Sequence, residues 1–564
     1  MNDFPCRLVP TSWIRYCILS GVLSAVLPVT AAALEIDAST DMEADKPALV
    51  VVISIDQLRR DRLDPEMPGG IGKILQGRNF IESRLDHGVT TTCPGHVVML
   101  TGANPSTAGV PGNSFIDRTT FEGRYCVDDN DDAYRVLDGD DNRSPRNIRS
   151  TALGDWLKKA DSASRVFSVG GKDRSTIALG GQHPDGAFWY NRKTGNFTTS
   201  GYYSDELPGY VSEFNGEVPE IDGHIATLPE RWEHPVSEFR ADDYEGESDK
   251  FLRVSGHPIR SGEDIYAQIY ASPYLDKQTL ALAAIVAREE KLGEGASTDL
   301  LTIALAATDI VGHSYGPRSA ESVDALIKLD LWLGELLAEL EGRLGKGRVL
   351  IALSADHGVA ELPEYLTNTN QNQCPEQGRL SVNGFIASLY WNIYREWTFP
   401  FTRPDKLVVF GGSSFTINTD TLLALGLEQN EVVDWLDDYL TDQSIVTAAW
   451  TRDEIQNGTS EVARLLRNSF VPDRSGDVLA QLAPDCILRP DGGTTHGSVY
   501  GYDRDVPMVF YGWRVSAGQI PGTAHTVDIG PSLANHLGIS MPAGLDGQAH
   551  QLSLNPRSTM PLAR

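Results

Sequence analysis

The sequence predicts an α/β fold: a doubly wound, mostly parallel sheet sandwiched by helices, with inserted cap segments. Three observations carry that prediction. PALVVVISID, RVFSVGGKDR, DLLTIALAATD and GRVLIALSADHG are near-continuous apolar runs rich in β-branched residues, the pattern of parallel strands covered on both faces. Helical periodicity separates them, most clearly in ESVDALIKLDLWLGELLAELEGRL, and strands alternating with helices build a parallel sheet. The runs also end in polar, reactive residues: Asp56, Lys172 with Arg174, Asp309, and Asp356 with His357. A single Asp there would serve an ordinary strand-to-helix turn. Four such endings together point to one site, because ligands of these sheets bind beyond the carboxyl ends of the strands.

Around this core the chain carries additions. Residues 1–33 read as an export signal: Arg7 and Arg15 flank the apolar CILSGVLSAVLPVTAAA, and Ala31-Ala32-Ala33 offers a cleavage site. That run is short for a transmembrane helix, and an uncleaved anchor is the alternative reading. The α/β core follows this segment. Residues 180–265, rich in Gly, Pro, Tyr and acids without a clear period, read as an insertion within it. Residues 365–490 read as a smaller α/β cap, from WNIY, KLVVF and the helix-like EVVDWLDDYL. The acidic run CVDDNDDAYRVLDGDDNRS lacks full calcium-loop spacing and reads as a solvated loop.

Charge and cysteines bound the partners and the compartment. With 564 residues and a net charge of −29, nucleic acid and anionic membranes are poor partners. A phosphorylated substrate would need strong local positive charge. Cys93, Cys126, Cys374 and Cys486 show no metal-type pairing, and in an exported chain they suggest disulfides. Of three possible pairings, Cys93 with Cys126 and Cys374 with Cys486 is the expectation. A periplasmic or secreted protein follows, monomeric or dimeric.

The strand-end acids and the histidines have metal chemistry. Asp309 and His313 lie about one helical turn apart, Asp356-His357 follows a strand directly, and His496 sits in the polar loop GGTTHGS. Imidazole and carboxylate without thiolate fit zinc in an open catalytic site. Five or six such ligands suit two ions that clamp a phosphoryl displacement. His87, His183 and His525 read as structural.

In TTTCPGH, Thr92 stands directly before Cys-Pro-Gly-His. VVVISIDQLRRD, TCPGH, GGKDR, TDIVGHSYGP, SADHG and TTHGS follow one another in the order of the alkaline phosphatase superfamily. Over residues 45–550 the chain resembles the threonine-nucleophile, phosphate-irrepressible bacterial alkaline phosphatases. The resemblance implies Thr92 as nucleophile and metal contact, with Asp309, His313 and His496 on one zinc and Asp56, Asp356 and His357 on the other. It implies Asn113 as a phosphate contact and Lys172 with Arg174 as its basic pair.

Elementary chemistry agrees with those roles. A nearby divalent ion lowers the pKa of a hydroxyl, and a helix N-terminus favours an anion. In an extended segment, residues two apart share a side, so Lys172 and Arg174 are expected to face one phosphoryl group. A monoester dianion gains more from two extra cations than a diester does; the alternative for the pair is a solvated turn. The expected activity is hydrolysis of small phosphate monoesters through a phospho-threonine. A nucleotide pyrophosphatase or phosphodiesterase of the same superfamily is the alternative. A sulfatase lacks its C-x-P-x-R context here, and a zinc-scavenging protein would need no nucleophile.

Overall fold

The computed structural model describes residues 46–218, 222–233, 246–247, 257–260, 264–376, 378–397, 404–411 and 414–554. The export segment read at 1–33 and parts of the stretch 180–265 lie outside these. A nine-stranded sheet forms the centre. From edge to edge its strands are Gly518–His525, Arg78–Arg84, Met508–Gly512, Val349–Ser354, Leu49–Ile55, Asp299–Leu305, Val166–Gly170, Gly186–Tyr190 and Phe197–Thr198. Leu49–Ile55 pairs in parallel with both of its neighbours, and Met508–Gly512 and Phe197–Thr198 pair antiparallel. The sheet is therefore mostly parallel, as the apolar runs predict.

Both faces are covered, which is why the strands read as unbroken apolar runs rather than alternating ones. Leu49, Val51, Ile53 and Ile55 pack into one core with Leu333 and Leu337 of the helix Ala320–Leu344 and Leu282 and Val286 of Tyr274–Glu289. Val50 and Val52 point the other way, into a core with Met99, Leu100, Trp156 and Leu533. The four strands whose ends carry the reactive residues are adjacent in the sheet, so their carboxyl ends open onto one place.

A separate four-stranded antiparallel sheet, of Val408–Gly411, Ser414–Ile417, Val446–Thr451 and Val478–Leu482, lies within the stretch read as a cap. It has its own apolar cluster with the helices Val382–Trp397 and Gln429–Thr441. Three expectations need adjusting. Gly186–Tyr190 and Phe197–Thr198 belong to the main sheet, so the core runs past residue 180. Those strands are too short to show a period next to their Gly-rich flanks. The acidic run is laced with hydrogen bonds rather than merely solvated: Asp128 pairs with Arg143 at 2.6 Å and Asp138 accepts from Asn191 at 2.9 Å. Arg174 is not in an extended segment but in the first turn of the helix Asp173–Gly180, with Lys172 at its N-cap.

The disulfides Cys93–Cys126 and Cys374–Cys486 are both formed. Among the described residues, no helix is long and apolar enough to cross a membrane.

Candidate active site

The site is assembled where strands end and helices begin. Asp56 follows Leu49–Ile55, and Asp356 and His357 follow Val349–Ser354. Asp309 and His313 lie on the helix Ala307–Tyr315 after Asp299–Leu305, and His496 comes in on a loop. Thr92 opens the helix Thr92–Thr101, whose N-cap Thr91 is extended. That helix can press against the strand end because position 95 is glycine: a Cβ there would meet the Asp356 carbonyl oxygen at 2.0 Å. Gln57, directly after Asp56, takes a left-handed φ of 69°. This strained turn lets its backbone N–H reach Asp356 Oδ1 at 3.0 Å and its amide reach Asp309 Oδ1 at 2.6 Å.

Every sequence-predicted residue converges here. Asp309 Oδ1 lies 3.2 Å from His313 Nε2 and 3.7 Å from His496 Nε2. His357 Nε2 lies 3.5 Å from Asp56 Oδ1 and 3.3 Å from Asp356 Oδ2. Lys172 Nζ bridges Asp56 and Asp309, at 2.6 Å to each. Thr92 Oγ1 lies 3.5 Å from His357 Nε2 and accepts from Arg174 Nη2 at 3.3 Å. Asn113 Oδ1 accepts from the Cys93 N–H at 2.7 Å, which leaves its NH2 end to offer a ligand. The neighbouring threonines are engaged differently: Thr90 Oγ1 donates to the Ser498 carbonyl, while Thr91 lines a cavity beside Asn113. His87, His183 and His525 fall in none of the metal-capable groups among the described residues.

Three groups of side chains are spaced to hold a cation: Asp309, His313 and His496; Asp56, Asp309 and His357; and Asp56, His96 and Asp356. The donor set fits a metal for three reasons. Asp56 Oδ1 and Asp356 Oδ2 are buried with no hydrogen-bond partner. Each of the three predicted histidines has its Nδ1 on a backbone carbonyl, that of Thr494, Gly358 or Thr90, at 2.8–2.9 Å. This second layer fixes the tautomer and turns every Nε2 lone pair toward the carboxylates. Burial also lowers the pKa of all three imidazoles, favouring the neutral form that ligates.

The carboxylates divide. Burial, reinforced by Asp309 and Asp356, raises Asp56 well above the ordinary range. In Asp309 burial is outweighed by His313 and Lys172, and in Asp356 by His357 and His96, so both are lowered. Lys172 is deeply buried, yet the charges of Asp309 and Asp56 raise its pKa and keep it an ammonium. Such clustering of perturbed groups at strand ends is the mark of a functional site.

Sequence reasoning missed Gln57 and four further contributors. His96, four residues after Thr92 on the same helix, has Nδ1 2.9 Å from the Thr92 carbonyl and 3.2 Å from Asp356; its helical spacing was the available signal. Asp276 accepts from the N–H groups of Ala306 and Ala307, at 2.7 and 2.9 Å, and so anchors the helix of Asp309. Arg489 donates to the same Thr494 carbonyl that orients His313. Thr90 orients His496 through its backbone, a role no side-chain pattern reveals.

A helix-opening threonine beside a carboxylate–imidazole cluster, at the carboxyl ends of a mostly parallel sheet, matches a described family. The profile for type I phosphodiesterase / nucleotide pyrophosphatase covers residues 50–503, and the chain belongs to that family, within the alkaline phosphatase superfamily. The chain is 29% identical to alkaline phosphatase PafA of Elizabethkingia meningoseptica, covering 96% of this chain and 98% of that one. It is 30% identical to alkaline phosphatase PhoV of Synechococcus elongatus, over 89% and 92%. The crystal structure of wild-type PafA superimposes with a TM-score of 0.80 at 28% identity, over 89% of this chain and 98% of PafA.

Proposed function

We propose that this chain is an exported, zinc-dependent alkaline phosphatase that hydrolyses small phosphate monoesters through a phospho-threonine on Thr92. The relatives named alkaline phosphatase, matched over nearly the full length, support the reaction class. The observation that carries the mechanism is the position of the Thr92 hydroxyl between His357 and Arg174, next to the unpartnered Asp56 and Asp356 oxygens. Asp309, His313 and His496 would hold one ion, and Asp56, Asp356 and His357 the other, with Thr92 at the second. When bound, two such ions supply the positive charge that acidifies a hydroxyl nucleophile and neutralises a leaving oxygen.

The protein's own groups do the rest. Thr92 Oγ attacks phosphorus, the bond to the leaving oxygen breaks, and a phospho-threonine forms. Water then displaces Thr92 and inorganic phosphate departs. Arg174 already touches Oγ1, so its guanidinium donates to the phosphoryl oxygens carried there. Lys172 and the Asn113 amide add further donors. These groups act where charge develops and need no reorganisation at the moment of reaction. Together with the ions they make a positive site inside an acidic chain.

The same cations favour a monoester, whose extra non-bridging oxygen a diester has exchanged for an ester group. The diesterase and pyrophosphatase reading finds its support in the description of the family itself and in venom phosphodiesterases that match 13% of the chain at 38% identity. One assay separates the two: kcat/KM for an aryl monoester and for a bis-aryl diester, after chelation and after zinc is restored. The monoester should be preferred by orders of magnitude, with activity lost on chelation and regained with zinc. A preference for the diester would transfer the assignment to the alternative. Two formed disulfides are in keeping with an oxidising compartment.

A further inference from the structure

We infer that a basic cavity beside the phosphoryl site is a second anion subsite, selecting esters and anhydrides whose leaving group is or carries a further phosphate. The inference rests on the monoesterase reading and adds a substrate class to it. The cavity, of about 400 Å³, shares Lys172 and Arg174 as a wall with the Thr92 site and is lined further by Arg143, Arg192 and Lys193. Five cations around one space stand out in a chain of net charge −29.

Two of the five are paired, Lys172 with Asp56 and Asp309 at 2.6 Å to each and Arg143 with Asp128 at 2.6 Å and Asp173 at 2.8 Å, so the uncompensated charge comes from Arg174, Arg192 and Lys193. Asp173 is occupied by the Tyr125 hydroxyl at 2.7 Å and Arg143 Nε at 2.8 Å, and Asp141 meets Arg143 only at 3.5 Å. Arg192 and Lys193 are exposed and their side chains make no ion pair or hydrogen bond among the described residues. Arg174 Nε is buried without a partner.

The backbone that carries the two exposed cations is nevertheless fixed. They sit on a tight turn closed by Asn191 N to the Asn196 carbonyl at 2.8 Å, with Gly195 at φ +80°. Asp138, from the acidic run, anchors that turn by accepting from Asn191 Nδ2 at 2.9 Å and Thr194 Oγ1 at 2.5 Å. The acidic run thereby gains a role: its charges hold the turn and brace Arg143 rather than binding a cation.

A planar guanidinium fork and an ammonium that lack protein partners suit the several oxygens of a phosphate better than a single carboxylate. Because the two spaces share a wall, one molecule with two phosphates can engage both. In the reaction, the Thr92 Oγ–P bond forms and the bond to the leaving oxygen breaks. The leaving group, which is or keeps the second phosphate, departs as an anion, and water later displaces Thr92.

The test uses the metal-loaded enzyme and its Arg192→Ala/Lys193→Ala variant, with melting temperatures as a folding control. For wild type and variant, kcat/KM is measured on inorganic pyrophosphate, on a hexose bisphosphate and on phenyl phosphate. The ratio of bis-anion to phenyl phosphate should fall about tenfold or more for at least one bis-anion, as expected for lost charge-assisted contacts. A ratio unchanged within about twofold for both bis-anions overturns the inference. Were phenyl phosphate not hydrolysed by the wild type, the monoesterase reading would fail on its own. Calorimetric affinities of methylenediphosphonate and inorganic phosphate then decide: selective weakening of the diphosphonate supports the subsite, and equal or absent weakening overturns it.

Discussion

The main sheet and the cap sheet solve different problems with the same elements. The main sheet is parallel at its centre, buried on both faces, and delivers its chemistry from strand ends. The cap sheet is antiparallel, with its main apolar cluster around Leu389, Phe415, Ile417 and Leu436 and smaller ones around Val446 and Leu466. Among the described residues, none of the metal-capable groups draws on the cap strands. What the cap contributes is walls. Cavities of about 260 and 310 Å³ lie between its strand residues, such as Leu479, and the loops of His496 and Asn113. It is pinned over them by Asp477, which takes Arg118 at 2.9 Å, and by Arg474, which donates to the Gly109 and Asn147 carbonyls. The contrast teaches that the metal-capable side chains and the cap-side walls of the neighbouring cavities reside in separate layers, so a cap wall should be alterable without loss of the metal-capable groups.

The largest effect that would sharpen this separation comes from the core alone. Exhaustive chelation should abolish turnover while leaving the cap folded, and metal analysis of the active enzyme should find about two ions per chain, as a two-metal site requires. Full activity without metal would break the account of the core.

Next in size, Lys172→Ala/Arg174→Ala should lower kcat/KM on a monoester far more than on a diester. Each charge-assisted contact is worth roughly 1.5–3 kcal/mol, or about ten- to a hundredfold in rate. The losses need not add, because both side chains serve one phosphoryl group. Equal losses on both substrates would make the pair structural.

The two disulfides offer a matched comparison. Cys93–Cys126 ties the residue after Thr92 to the segment of Tyr125, whose hydroxyl accepts from Arg174 at 3.1 Å. Its removal should lower kcat by about tenfold through misplacement of Thr92 and Arg174. Cys374–Cys486 spans 112 residues of the cap, and its removal should lower stability in denaturant by about 2–4 kcal/mol with a smaller effect on kcat. The reverse pattern would contradict the division of labour.

The smallest effect belongs to the cap wall. Phe410 lines the same cavity as His496, and Phe410→Ala should cost aryl esters about 1–2 kcal/mol of binding relative to glycerol phosphate. Steady-state KM values for the two substrates provide the check.

The core was legible because its signals are local. A strand buried on both faces writes itself as an apolar run, and the residue after it announces the turn; Asp56, Lys172, Asp309 and Asp356 were all visible in this way. The spacing argument for Arg174 was not sound, because Lys172 ends as a helix N-cap and Arg174 begins the helix. Both still face the site, Lys172 from the end of the extended segment and Arg174 from the first turn. Contributors that act through the backbone left no signal. Thr90 and Thr494 orient His496 and His313 with carbonyl groups, and Asp276 anchors the Asp309 helix from a distant helix. Position 493 is similar: its glycine is needed because a Cβ would meet the His313 carbonyl oxygen at 2.1 Å, with φ at +70°. Short strands such as Phe197–Thr198 carry no period and were hidden in the loop-like stretch after residue 180.

The claim on which all else depends is that Thr92, and not its neighbours, becomes phosphorylated. Acid quenching of the enzyme during turnover of an aryl phosphate, followed by peptide mass spectrometry, addresses it directly. Phosphate should be found on Thr92, and should be absent from Thr92→Ala, while Thr91→Ala keeps most of its activity and the label. Phosphate on Thr90 or Thr91, or an active Thr92→Ala enzyme, would contradict the account.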